Sequence, residues 1–316
     1  MADSSDTTPL LPRPNSQNPP PQSHPITTRV CHSPWHGLSQ QMLFIIRLLL
    51  AAYLTAVFGV SLKYKLDNDD EHSKWRIPFQ FSTVSFCSLW AYHLISTLWT
   101  GMHLFMPGTI RLNPEDCEGH KLRTRIVQML SPSNSGSNKQ FMFSMFYVIS
   151  HVFAFMNTLI YWGVLLPAGH GGFQQPDSPH HHPGANETTV LYDQSKGLLE
   201  EGPIKPFSII NVWTITSLIA AIEVFFLNSI RRPTPVASHT LGVMLLSTLY
   251  LGWAEIGKLA TGHAGIFFVD PELMNNMPGA AFAAGVAFVL LSPGIFAYMY
   301  GLIAMRDGVV AVQSRP

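Results

Sequence analysis

Charge is what this sequence is short of. Only 12% of its 316 residues are Asp, Glu, Lys or Arg, against about a quarter in ordinary soluble domains. Three long stretches, Ile77 to Ile110, Gln140 to Pro176 and Leu273 to Met305, contain none at all. A bilayer span needs roughly 20 mostly apolar residues in a helix, so these stretches are long enough. The 19 basic and 19 acidic residues balance, so nothing in the charge suggests a nucleic-acid or strongly charged partner. Cysteine is scarce too. Cys31, Cys87 and Cys117 are the only three, too few and too scattered for a disulfide framework or a CxxC pair. No HExxH, GxSxG, GxGxxG or P-loop pattern occurs, so the common soluble catalytic and nucleotide motifs are absent. No internal repeat suggests an inverted-repeat transporter. The first 36 residues hold eight prolines and no apolar core of the length a secretory signal needs.

What is present reads as an all-α polytopic membrane protein, a bundle of six transmembrane helices. Residues 1–38 are rich in Pro, Ser and Thr and are expected to form a disordered tail, because they bury too little apolar surface to offset ordering entropy. The transmembrane domain is expected over 39–305, with spans near 42–62, 79–104, 141–166, 207–229, 239–259 and 279–303 and a long loop at 167–206. A short tail, 306–316, follows. Helix is the expected state because backbone polar groups in lipid must be paired within their own segment. Lys and Arg set the orientation: eleven fall in the N-tail, the loops at 105–140 and 230–238 and the C-tail, and seven on the opposite face. That bias predicts cytosolic termini. The only N-x-[ST] sequon, at Asn186, falls in the 167–206 loop on the expected lumenal side.

Ionisable residues within the spans are candidates for function, because burying them in lipid is costly. Arg47 reads as snorkelling from a helix end. His93 and His151 read as packing residues that link helices. Glu255 has Lys258 one turn on, a local pair near the lumenal interface. Glu223 has no cation within one turn, so it is expected either to pair across helices or to be protonated. The His180 to His182 run reads as solvated loop rather than a metal site, and the pattern calls for no metal and no cofactor.

The stretch "LYLGWAEIGKLATGHAGIFFVDPE", 249–272, has an LYLG run, then Thr261-Gly262, then Phe268-Val269-Asp270-Pro271. Residues 208–229 place Glu223 late in a helix with Phe226 and Asn228 after it, and "WRIPFQFSTVSF", 75–86, sets a Trp ahead of a threonine. In this order on a six-span chain, these features resemble the androgen-induced-gene family. The resemblance covers roughly 42–305 and is firmest over 207–272. It implies an intramembrane hydrolase of lipid esters, notably fatty-acid esters of hydroxy fatty acids, with a threonine nucleophile on span two and a histidine base on span four. It implies membrane lipids as partners, names no protein partner, and places the chain in the endomembrane system, with the endoplasmic reticulum the first expectation.

The threonine of the resemblance maps to Thr83, which by itself reads as a helix hydroxyl bonded back to the preceding turn. The histidine position maps to Trp213, and indole has no basic lone pair. Trp213 is expected at the same depth as Thr83 and in the space an acyl ester would fill. His151, His170 and His263 are the candidate substitute bases. Two other readings stand beside the hydrolase: a lipid-binding or scaffold protein that has lost the chemistry, and a transporter using Glu223, Glu255 and His151 as a polar path.

Overall fold

The structure, a computed structural model, describes residues 26–35, 37–68, 74–105, 137–167, 203–262, 265, 266, 268 and 277–313. Every regular element among the described residues is helical. A short α1 (Ile26–Val30) precedes α2 (Gln40–Asn68). A 3-10 turn at Ile77–Phe79 leads into α3 (Phe81–Phe105). The fourth helix, α4 (Ser137–Ile160), continues through a π-helical turn, Tyr161–Leu165. Next, α5 covers Ile204–Leu227, with π turns at Asn211–Ile215 and Glu223–Leu227. The last two are α6 (Val236–Thr261) and α7 (Pro278–Gln313). Gly262 closes α6 in the left-handed conformation (φ 76°), where a Cβ would be strained.

Five helices, α2, α4, α5, α6 and α7, are long and apolar enough to cross a membrane. This makes the chain a multi-pass helical membrane protein. The expected second span, α3, is a 25-residue helix without Asp, Glu, Lys or Arg, but it is not among the five. Its four Ser, three Thr and two His dilute its apolar character. Most of that polarity is turned inward, since Ser82, Ser85, His93, Ser96 and Thr100 are all buried. α3 packs against α2 on one side and α4 on the other.

The centre of the bundle is α4, 78% of whose apolar window is buried, against 28–44% for the other four. A helix that is apolar and aromatic all round belongs in a core. Tyr147, Val148, Val152, Ala154 and Met156 are completely enclosed. They anchor the main core, which takes side chains from α3, α5, α6 and α7. A smaller cluster, Leu54, Val57, Phe86, Val212 and Ile219, joins α2, α3 and α5. Pro293 lies inside α7. It has no N–H to reach the Val289 carbonyl, which accepts from the Ser292 hydroxyl instead, at 2.8 Å.

Residues 26–35 differ from the expected tail. Val30 and Cys31 are fully buried, and the backbone N–H of Ser229 donates to the Arg29 carbonyl at 3.2 Å. Trp35 packs on Phe225 and Phe226. Composition over 38 residues hides this, because the docking residues are few and their partners lie about 190 positions away. The last expected span is also longer: α7 runs through Arg306, which is buried rather than in a tail.

Candidate functional site

Two polar features are built into the bundle, and they do different work. The first is at the C-terminal end of α5. A helix leaves its last four carbonyls without partners, and in an apolar medium each must find a donor. All four find one. Arg306 Nη1 donates to the Val224 carbonyl at 2.9 Å and Trp35 Nε1 to Phe225 at 3.0 Å. Ser33 Oγ donates to Phe226 at 2.8 Å and Arg47 Nη2 to Leu227 at 2.8 Å. Both arginines also suit the negative end of the helix dipole.

Glu223 sits inside this cap. Arg47 Nη2 lies 2.7 Å from its Oε1, and both side chains are fully buried. The Tyr92 hydroxyl donates to the same oxygen at 3.0 Å. Arg47 also donates to Thr100 Oγ1 at 2.7 Å. Asn228 returns its Nδ2 to the Glu223 carbonyl at 2.9 Å, and its own carbonyl accepts from Arg306 Nη1 at 2.8 Å. Arg47 is therefore the cross-helix partner Glu223 requires, and the snorkelling reading of Arg47 is corrected. Sequence spacing misses the pair because the residues are far apart in the chain and meet only through packing of α2 on α3 and α5.

The second feature surrounds Thr83, on the first turn of α3. Other membrane-depth hydroxyls bond back one turn: Thr55 to Ala51, Ser88 to Val84 and Thr216 to Val212. Thr83 does not, and its hydroxyl has no hydrogen-bond partner among the described residues. The carbonyl it would reach, that of Phe79, accepts from the Tyr250 hydroxyl at 3.0 Å. Gly265 closes in on the same carbonyl, and a Cβ there would lie 2.2 Å from it. The back-bonded reading of Thr83 is thereby replaced.

Thr83 opens onto a cavity of about 1070 Å³ with α3 as its floor. Phe58, Leu62 and Leu66 of α2 form one wall, and Phe146 and Trp253 the other. Lys74 and Trp75 stand at one end, Ala91 at the deeper end, and Cys87 and Ser88 on the floor. On its inner side Thr83 also lines a recess of about 30 Å³, with Ser61, Lys65, Ser82 and Val212.

The expected site residues divide around this cavity. His151 is not brought to Thr83. Its Nδ1 is 2.7 Å from the Tyr147 carbonyl, and its ring packs edge-on against Tyr92, nine residues or about 13 Å along α3 from Thr83. Trp213 does not fill the cavity. Its ring stacks on Tyr161 at 4.8 Å, and its carbonyl accepts from Thr158 Oγ1. The cause is the π turn at Asn211–Ile215, which rotates the helix face and frees carbonyls that α4 then takes. Asn157 Nδ2 donates to the Val212 carbonyl at 2.9 Å. Val212, not Trp213, faces the recess. Nor do the depths match: Trp213 is nine residues into α5 and Thr83 two into α3. Glu255 is exposed on α6. His170, Asn186, His180 to His182, Cys117 and His263 lie outside the described residues.

No family model matches this chain, and no curated protein or solved structure matches it either. The class rests on its helices, and any narrower assignment rests on the site.

Proposed function

We propose that the chain is a six-span intramembrane hydrolase of lipid esters, with Thr83 as its nucleophile and the acyl chain lying along α3. One observation carries this reading: Thr83 makes no hydrogen bond back to the preceding turn, whose Phe79 carbonyl accepts from Tyr250, and it opens onto an apolar cavity. A threonine hydroxyl becomes a useful nucleophile when it is close to a base and not engaged elsewhere. The sequence resemblance to the androgen-induced-gene family supports the same residue and substrate class. α3 supplies the sixth crossing, its polar face turned to the core. The termini are cytosolic and the Asn186 loop lumenal, in an endomembrane. Trp75 and Trp253, which line the cavity and are exposed, suit a membrane interface.

The test is hydrolysis of a fatty-acid ester of a hydroxy fatty acid by the purified protein. Thr83→Ala abolishes it and Thr83→Ser preserves a measurable part. Equal turnover in wild type and Thr83→Ala overturns the reading.

A second reading is a lipid-binding protein without chemistry. No histidine among the described residues lines the cavity, which favours it. On this reading a spin-labelled fatty acid binds, Phe58→Trp or Ala91→Trp displaces it, and no ester is cleaved.

A further inference from the structure

The cavity beside Thr83 has a direction. Among the described residues that line it, the charged one is Lys74, at the end away from Ala91. Past Thr83 the floor is Val84, Cys87, Ser88 and Ala91, with no charge. An ester whose carbonyl sits at Thr83 therefore lays its alkyl chain toward Ala91. The eight residues from Thr83 to Ala91 rise about 12 Å along α3, the reach of an extended acyl chain of about ten carbons. A second groove begins where this cavity ends. It measures about 810 Å³ and follows the same seam between α2 and α3, from Thr55 and Leu94 to Phe44 and Phe105. Leu94 lies one turn past Ala91 on α3, and Thr55 one turn before Phe58 on α2, so each helix continues the same face. Trp90 stands between the two spaces. Its ring stacks on Phe58, a wall of the cavity, with centroids 5.3 Å apart and planes 15° apart. Its Nε1 donates at 2.9 Å to Thr55 Oγ1, a wall of the groove. Thr55 gives its own proton to the Ala51 carbonyl at 2.7 Å, which leaves its oxygen to accept from the indole. Phe58 in turn stacks on Phe86 at 6.0 Å. The indole is thus held by its face and by its N–H.

We propose that Trp90 is the stop that sets acyl-chain length, and that the preferred substrate carries an acyl group of about ten carbons. The proposal rests on the hydrolase reading above and concerns a residue that touches no reacting atom. A chain that ends short of Trp90 leaves apolar wall uncovered and loses burial with each missing methylene. A longer chain meets the indole. It must bend out of the cavity or displace a ring fixed by a stack and a hydrogen bond. A hydrophobic pocket discriminates methylene by methylene, so the rate falls on both sides of the preferred length. Without the indole the cavity opens into the groove, whose walls include Ala52, Ala56, Leu94 and Leu98. A longer chain then continues along the seam.

The experiment compares kcat/KM for esters of one hydroxystearic acid whose acyl part runs from hexanoyl through decanoyl to palmitoyl, with the full-length protein in detergent. Wild type is expected to prefer decanoyl over palmitoyl at least tenfold. Trp90→Ala brings palmitoyl up to the decanoyl rate or above it. Thr55→Val, which removes the hydrogen bond and keeps the shape, moves the ratio the same way by less. Ala91→Leu shortens the cavity without touching Trp90 and moves the preference toward hexanoyl, so the proposal stays open to test when Trp90→Ala does not fold. Each ratio is read within one preparation, so partial unfolding of a variant does not alter it. A merely structural Trp90 lowers all the rates in proportion, and that result overturns the proposal while leaving Thr83 as nucleophile. So does a wild type that cleaves decanoyl and palmitoyl esters alike, or an Ala91→Leu with the wild-type profile. Absence of hydrolysis of every ester by folded wild type overturns the hydrolase reading and this proposal with it.

Discussion

Glu223 and Arg47 can be buried in the bundle only because each answers the other. Removing one partner of a buried ion pair costs about 3–5 kcal/mol, because the survivor is left charged and unpaired. Arg47→Met therefore lowers the thermal stability of the detergent-solubilised protein sharply, and Glu223→Met does the same. The double replacement recovers only part of the loss, because the Leu227 carbonyl and Thr100 still lack the donor they share with Glu223. Fluorescence-detected elution after heating measures both effects. At Cys31, which lies between α1 and α2, burial pushes the thiol up to about 12 and outweighs the opposing charge of Arg47. The thiolate is the reactive form. Cys31 is therefore expected to resist maleimide at pH 8 until the protein unfolds. Cys87 lines the cavity, so in a Cys117→Ser background it labels in the native protein and is protected by a bound fatty acid. The sequence shows that Glu223 needs a distant partner, since no cation lies within a turn of it. It does not identify Arg47, because helix-end arginines commonly snorkel and only the packing of α2 on α5 distinguishes the two cases.

At the scale of elements, the helices were readable and their local departures were not. Long apolar, low-charge stretches mark α2 to α7 to within a few residues at most ends. Hydrophobic pattern carries no signal for the π turn at Asn211–Ile215, which turns Trp213 toward Tyr161 and Val212 toward the recess. Counting along an ideal α-helix therefore puts the wrong residue opposite Thr83. Trp213→His is accordingly expected to add no hydrolysis, while Val212→His places an imidazole on the recess beside Thr83 and raises it. A gain from Trp213→His alone contradicts this geometry. The turn before α3 offers a second test. Gly265→Ala drives a methyl into the Phe79 carbonyl and disturbs its hydrogen bond from Tyr250, one turn before Thr83. It is expected to lower turnover at least tenfold while the protein still elutes as a folded species.

Across the whole molecule, α4 fills the centre, and the end of α5 is capped by α2, α7 and the segment before α2. Thr83 and its cavity lie at the opposite end. The cap therefore serves stability and the cavity serves function, and variants should sort the same way. Trp35→Ala removes a donor to the Phe225 carbonyl and the ring packed on Phe225 and Phe226. It is expected to lower stability without changing turnover per folded molecule. The amino-acid pattern shows a low-charge, multi-helix membrane chain. It does not show that residues 26–35 are docked, because their few anchoring side chains are diluted by the proline-rich residues before them. Glycosylation at Asn186 with both termini inaccessible from the lumen is the expected topology, and tag protection in sealed microsomes measures it.

The central claim is that Thr83 is a working nucleophile, and ester hydrolysis by purified wild type beside Thr83→Ala addresses it most directly. Turnover of a fatty-acid ester of a hydroxy fatty acid by wild type, lost to background in a folded Thr83→Ala, is the predicted result. Equal turnover in the two proteins, or none in a folded wild type that still binds fatty acid, contradicts the claim.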